Sequence, residues 1–366
     1  MSTNTIPIGG GNNRIGYIDA MRGFSMILVV LGHVLLVMGF PTDSTVLGSI
    51  LLTFRMPLFF FVSGFFAYRA LEKWTLRFCK SVLKRKIQAQ IICTIFFYTL
   101  FQFCHDRNPL IALQEGFSWF WFTIVLFQMF VIYMMFASAE HITKKRNIVT
   151  PLLIFLSALF FLIFVKSNEI NFRVWRVLQW GYLAEYFQFF TFGILCRKYY
   201  PLLNKCLNSD SFRTTAILTY IISLMAVYGF NRHLQDLNSS IYNIMSMVVV
   251  RYTGLHTIFI MFFSNGKYFS NNDRPCRWLR FVGRRTLDIY MLHVFLLPNL
   301  LFLQQYLSGN GMLLNQLTIG LIGAILNIAV CLFISNLLRS SNFLSRWLFG
   351  EKGKQNTNLS TSTLIP

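Results

Sequence analysis

Residues 14–33 read RIGYIDAMRGFSMILVVLGH. From Ala20 the chain stays largely apolar to Phe40, about the 20 residues that a bilayer-spanning helix needs. Yet an Asp, an Arg and a His sit in or beside that run. At ~100° per residue, Asp19, Arg22, Met26 and His33 fall close to one helical stripe. A rise of ~1.5 Å per residue puts His33 roughly 16 Å beyond Arg22. Ionisable side chains inside a bilayer are expensive, and the default reading of one is a functional site. The stripe therefore carries a cation at its mouth and a base near mid-membrane.

The rest of the chain agrees with a membrane helix. It has 366 residues, 55% of them hydrophobic, 40 of them Phe, and only 13% charged; the mean hydropathy is +0.54. No soluble domain hides that much apolar surface, so the expected fold is an all-α polytopic membrane protein. Apolar runs give about ten candidate spans: 20–40, 47–70, 88–104, 117–138, 148–165, 179–197, 213–230, 241–264, 283–303 and 312–338. The net charge of +20 comes from basic residues gathered in the short gaps between runs. With the N-terminus inside, those gaps fall on the cytoplasmic side. Only Arg107, Lys166, Arg173, Arg176 and Arg232 fall opposite. That asymmetry predicts both termini in the cytoplasm and argues against nucleic-acid binding. The loop KWTLRFCKSVLKRK (73–86) and the segment from Lys267 to Arg285 suit anionic lipid headgroups or a phosphate-bearing ligand equally well. Trp119 and Trp121 fit an interfacial belt. The seven Cys show no ligand spacing and read as reduced packing residues, and no metal is expected. No cleavable signal is evident, so the first apolar run is read as a retained span. The expected organisation is a disordered segment over 1–13, a membrane domain over 14–340 and a cytoplasmic tail over 341–366.

Depth comparison extends the stripe into a constellation. His33 lies about midway through the first span and Arg55 about eight residues into the second, just before Pro57. Arg251 and His293 each lie about ten residues into their spans, and Glu185 lies somewhat nearer the outer face. Ionisable groups from five helices thus reach one slab, which predicts a polar cavity. Bland readings stand beside this one. Arg55 or Arg251 neutralises Glu185 as a structural ion pair, His293 merely orients its helix, and Asp19 complements a helix dipole.

These residues resemble a known family. The run YIDAMRGFSMILVVLGH looks like the opening motif of the acyltransferase-3 family of integral membrane acyltransferases, with Asp19, Arg22, Gly23 and His33 at its positions. FRMPLFFFVSGFFA is similar to the family's second-helix motif through Arg55, Pro57, Ser63 and Gly64. SWFWFTIVLF, QFFTFGILCRKY and GRRTLDIYMLH resemble its later segments, the last ending on His293. Some members carry a Glu in the fourth-helix segment. Here Phe127, Gln128 and Met129 stand there, closer to the fucose 4-O-acetylase-like branch. The extra extracytoplasmic domain fused to some members has no counterpart in this sequence.

The resemblance implies a membrane O-acyltransferase at a bacterial cytoplasmic membrane. It would move an acyl group, most often acetyl, from acetyl-CoA or another acyl-CoA to a hydroxyl of an envelope glycan or its lipid-linked sugar precursor. Arg22 would then hold a phosphate of the co-substrate, with Asp19 organising the mouth. His33 would act as general base or acyl carrier, and Arg55 would stabilise the oxyanion. His293, Arg251 and Glu185 would line the cavity. The rival reading is a transporter of an anionic small molecule that uses the same charges as its pathway.

Overall fold

The computed structural model describes residues 15–40, 46–68, 74–143, 147–166, 173–229, 240–297, 300–307 and 313–349. Their regular structure is helical throughout, as expected where no water is present to satisfy backbone groups. The main elements are α1 (Gly16–Val37), α2 (Val46–Ala67), α3 (Leu76–Cys104), α4 (Ser118–Thr143), α5 (Val149–Lys166), α6 (Trp180–Lys198), α7 (Asp210–Leu224), α8 (Ser240–Ser264), α9 (Arg274–Arg284), α10 (Thr286–Leu296), α11 (Leu313–Ser340) and α12 (Asn342–Phe349). Among the described residues five helices are long and apolar enough to cross a membrane, and three shorter apolar helices join them. The chain is an integral membrane protein.

Two backbone crossings set the frame. α1 runs through the middle of the bundle and packs on α2, α9 and α11. A Cβ added at Gly23 would run into the Leu279 carbonyl, and one at Gly283 into the Asp19 carbonyl, so α1 and α9 meet backbone to backbone. α2 and α6 cross in the same way, with Gly64 against the Phe190 carbonyl and Gly193 against the Phe61 carbonyl. Phe60, Phe61, Phe187, Phe189 and Phe190 fill the space around the second crossing and are fully buried. Many of the 40 Phe thus serve as rigid internal filler.

Four expectations change. The basic stretch after Trp74 is not a loop. Residues Leu76–Lys86 form the first turns of α3, capped where the Thr75 hydroxyl accepts the Phe78 N–H at 3.3 Å. Cys79 and Val82 are buried at helical spacing between the exposed cations Arg77, Lys80 and Lys84, a pattern that a search for apolar runs misses. The span expected over 283–303 is broken. Its helix ends at Leu296, Leu297 is extended (ψ 110°), and Pro298 follows in the sequence. The segment from Lys267 to Arg285 is a short helix (Gly266–Ser270) and α9, whose packing on α1 makes it part of the scaffold. The tail expected from residue 341 begins with α12, which folds onto α11 and α3. Residues 1–13, the loop cations Lys144, Lys145, Arg146 and Arg232, and the chain beyond Phe349 lie outside the described residues.

Candidate active site

α1 and the α9–α10 segment run side by side. Gly23 meets Gly283 at one end, and ten residues further along each chain His33 meets His293 (23 to 33, 283 to 293). The two imidazole centroids are 5.1 Å apart with the rings tilted by 52°. His293 sits where α10 tightens into a 3-10 turn. Its Nδ1–H donates to the carbonyls of Tyr290 (2.8 Å) and Ile289 (3.1 Å). Two carbonyl partners fix the proton on Nδ1 and leave Nε2 as a bare acceptor, and that buried atom has no hydrogen-bond partner. The His293 carbonyl in turn accepts the Asn327 side-chain N–H at 3.2 Å, which ties the ring's backbone to α11.

His33 is half-buried and lies four residues from the end of α1, further along the helix than midway. The Trp119 ring covers it at 4.9 Å. Trp119 is therefore a wall of this site and not only an interfacial residue. Tyr290 holds the wall in place. Its hydroxyl donates to the Trp119 carbonyl at 2.8 Å and accepts the Phe122 N–H at 3.2 Å, near the start of α4.

Arg55 approaches from α2, where the Ser25 hydroxyl donates to its backbone carbonyl at 3.1 Å and links α1 to α2. Its Nε is buried without a hydrogen-bond partner. It lies within electrostatic reach of His33 and of Tyr186. Beyond Tyr186 comes an ion pair, Arg251 Nη1 to Glu185 Oε1 at 2.6 Å, with the Arg251 guanidinium 5.5 Å from the Tyr186 ring centre. Arg251, rather than Arg55, is thus the partner of Glu185. At the other end Asp19 is buried and 4.0 Å from Arg284.

A cavity of about 390 Å³ leads inward from the basic end of the bundle. Arg22, Arg85 and Lys86 provide its cations, Ser63, Gln90, Thr123 and Thr286 its neutral polar groups, and Phe59, Phe122 and Tyr290 are among its aromatic walls. The Tyr290 ring is 5.8 Å from His293. Tyr290 is thus both a wall of the cationic cavity and a neighbour of His293, while neither histidine lines the cavity itself.

A family model described as an acyltransferase domain matches residues 15–336. The chain belongs to the acyltransferase-3 family. No curated protein and no solved structure matches it. It is a membrane acyltransferase, and the group it transfers is other than aminoacyl. Of the residues that its sequence singles out, the structure brings His33 and His293 together, leaves Arg55 within electrostatic reach of His33, and pairs Arg251 with Glu185. It sets Arg22 apart, on the cavity wall. The cavity is also lined by Tyr290, Gln90 and Thr286, to which the pattern of charges does not point. The Thr286–Leu–x–Ile–Tyr290–x–x–His293 run held two of them in plain view. Gln90, the second of two glutamines in the run after Lys86, carries no such flag.

Proposed function

We propose that this acyltransferase moves an acyl group, acetyl in the simplest case, from a cytoplasmic acyl-CoA to a hydroxyl of an envelope or exported glycan, or of its lipid-linked precursor. The observation that carries the reading is the cavity joining Arg22, Arg85 and Lys86 to the Tyr290 ring beside the histidine pair. Phosphates suit its cationic end, as bidentate or point-charge partners of Arg and Lys. A thioester extended inward from them approaches His33 and His293. On this reading the basic end is cytoplasmic and the membrane a bacterial cell membrane, with anionic lipid headgroups around the cations.

At the histidine pair the acceptor hydroxyl loses its proton to His33 as its oxygen attacks the thioester carbonyl carbon. Arg55 balances the charge that develops on the carbonyl oxygen, an effect strengthened by the apolar surroundings. The intermediate then collapses, the C–S bond breaks and the proton passes to sulfur, so the products are an ester and a free thiol. His293 Nε2, held as an acceptor beside His33, orients or relays that proton. The Glu185–Arg251 pair and Tyr186 fix the opposite wall. The lack of a Glu in the fourth-helix segment favours the fucose 4-O-acetylase-like branch, and hence a sugar acceptor.

The test is thiol release. Membranes containing the protein, given acetyl-CoA and an envelope glycan extract, are expected to free CoA in an extract-dependent way. Membranes with His33→Ala are expected to free none. Extract-dependent release that persists undiminished in His33→Ala would overturn the assignment of the base. No release from the intact protein, together with accumulation of the anion in sealed vesicles, would overturn transfer itself.

A further inference from the structure

The cavity wall holds two polar groups that the chemistry above does not use. Gln90 and Thr286 are 5% and 1% exposed, and both line the cavity. Gln90 Oε1 and Thr286 Oγ1 have no hydrogen-bond partner. The other hydroxyls on these walls are satisfied. Ser63 donates to the Phe59 carbonyl at 2.8 Å, Thr123 to the Phe120 carbonyl at 3.0 Å, and Tyr290 to the Trp119 carbonyl at 2.8 Å. Buried groups without partners are rare and costly, and these two face the same space from α3 and α10.

Local backbone supports a binding role. Gln90 lies in a π-helical segment, Ile87–Ile92, inserted into α3. Such segments are frequent at functional sites because the wide turn re-aims side chains. Its backbone carbonyl takes the Thr94 hydroxyl at 2.5 Å, so the wide turn is braced from below. Along this wall the order is Arg85, Lys86, then Gln90 one turn deeper: two cations, then a neutral amide.

That order matches a ligand with an anionic end followed by a chain bearing amides. We propose that Gln90 and Thr286 form a subsite for the pantetheine arm of acyl-CoA. Gln90 Oε1 accepts an N–H from one amide of the arm, and the Thr286 hydroxyl donates to an amide carbonyl. The subsite rests on the acyl-CoA reading above and adds selectivity to it. A purely hydrocarbon chain with the same phosphate end would leave both groups unpaired.

The experiment measures equilibrium binding of CoA and of adenosine 3′,5′-bisphosphate, which carries phosphates but no arm, to the full-length protein in lipid nanodiscs. Gln90→Leu, or the closer-shaped Gln90→Met, and Thr286→Val are each expected to weaken CoA about tenfold and leave the bisphosphate unchanged. Unchanged bisphosphate binding also shows that the variants are folded. Thr286→Ser keeps the hydroxyl and is expected to keep CoA affinity. Arg85→Ala is expected to weaken both ligands. Intact CoA affinity in the Gln90 and Thr286 variants would overturn the subsite while leaving the donor assignment standing, as would a parallel loss of both ligands. Failure of the intact protein to bind CoA at all would overturn both.

Discussion

At the scale of single residues, the site is a set of groups whose protons and charges are placed by their neighbours. His293 is the clearest case. With Nδ1–H given to two carbonyls, its other nitrogen has one state to offer, in a ring 5.1 Å from that of His33. His293→Ala is expected to lower kcat by roughly 10²–10⁴ with little change in KM for the donor, measured as thiol release. A change confined to KM would contradict a role at the reacting groups. The Glu185–Arg251 pair makes a different kind of prediction. Removing one partner leaves a buried charge uncompensated, which costs about 3–5 kcal/mol, whereas replacing both with apolar residues of similar volume costs less. Arg251→Met is therefore expected to lower the unfolding temperature more than the double variant Glu185→Leu/Arg251→Met. Equal losses would show that the pair acts through packing alone.

At the scale of elements, the protein is organised by two glycine crossings. Even a methyl group at Gly23 would strike the Leu279 carbonyl, a backbone atom that moves only if the whole helix moves. Gly23→Ala is expected to separate α1 from α9, and so to shift His33 against His293. Activity should fall by at least tenfold while the protein still inserts in the membrane, since small misplacements at a site cost that much or more. Full activity in Gly23→Ala would mean that the crossing does not set the histidine spacing. The same scale shows what is legible in the sequence. The Asp19–Arg22–His33 stripe follows from residue spacing, because a membrane helix has one period and one permitted environment. The helical start of α3 hides behind its cations, since Cys79 and Val82 are too sparse to register as an apolar run. The π segment at Ile87–Ile92 leaves no mark on composition. The pairing of Glu185 with Arg251 rather than Arg55 depends on how α6, α2 and α8 rotate against one another, which no single helix encodes.

At the scale of the whole molecule, the basic and opposite ends are distinguishable by native cysteines. Among the seven, Cys104 and Cys206 are the exposed ones. Cys206 lies in the short helix Tyr200–Leu207, where Tyr200 touches Tyr17 at the start of α1, the basic end; Cys104 closes α3 at the other end. If the basic end is cytoplasmic, an impermeant maleimide should label Cys104 in intact cells and Cys206 only after permeabilisation. The reverse pattern would place the cationic cavity on the outside, away from any cytoplasmic acyl-CoA.

The most direct measurement compares the envelope glycan of cells expressing this protein with that of cells expressing His33→Ala at equal membrane abundance. Mass spectrometry would seek O-acyl groups that mild base removes. The prediction is an acyl mass increment, such as that of acetyl, present with intact His33 and absent with His33→Ala. An increment of equal size in both would contradict the claim that transfer passes through the histidine pair.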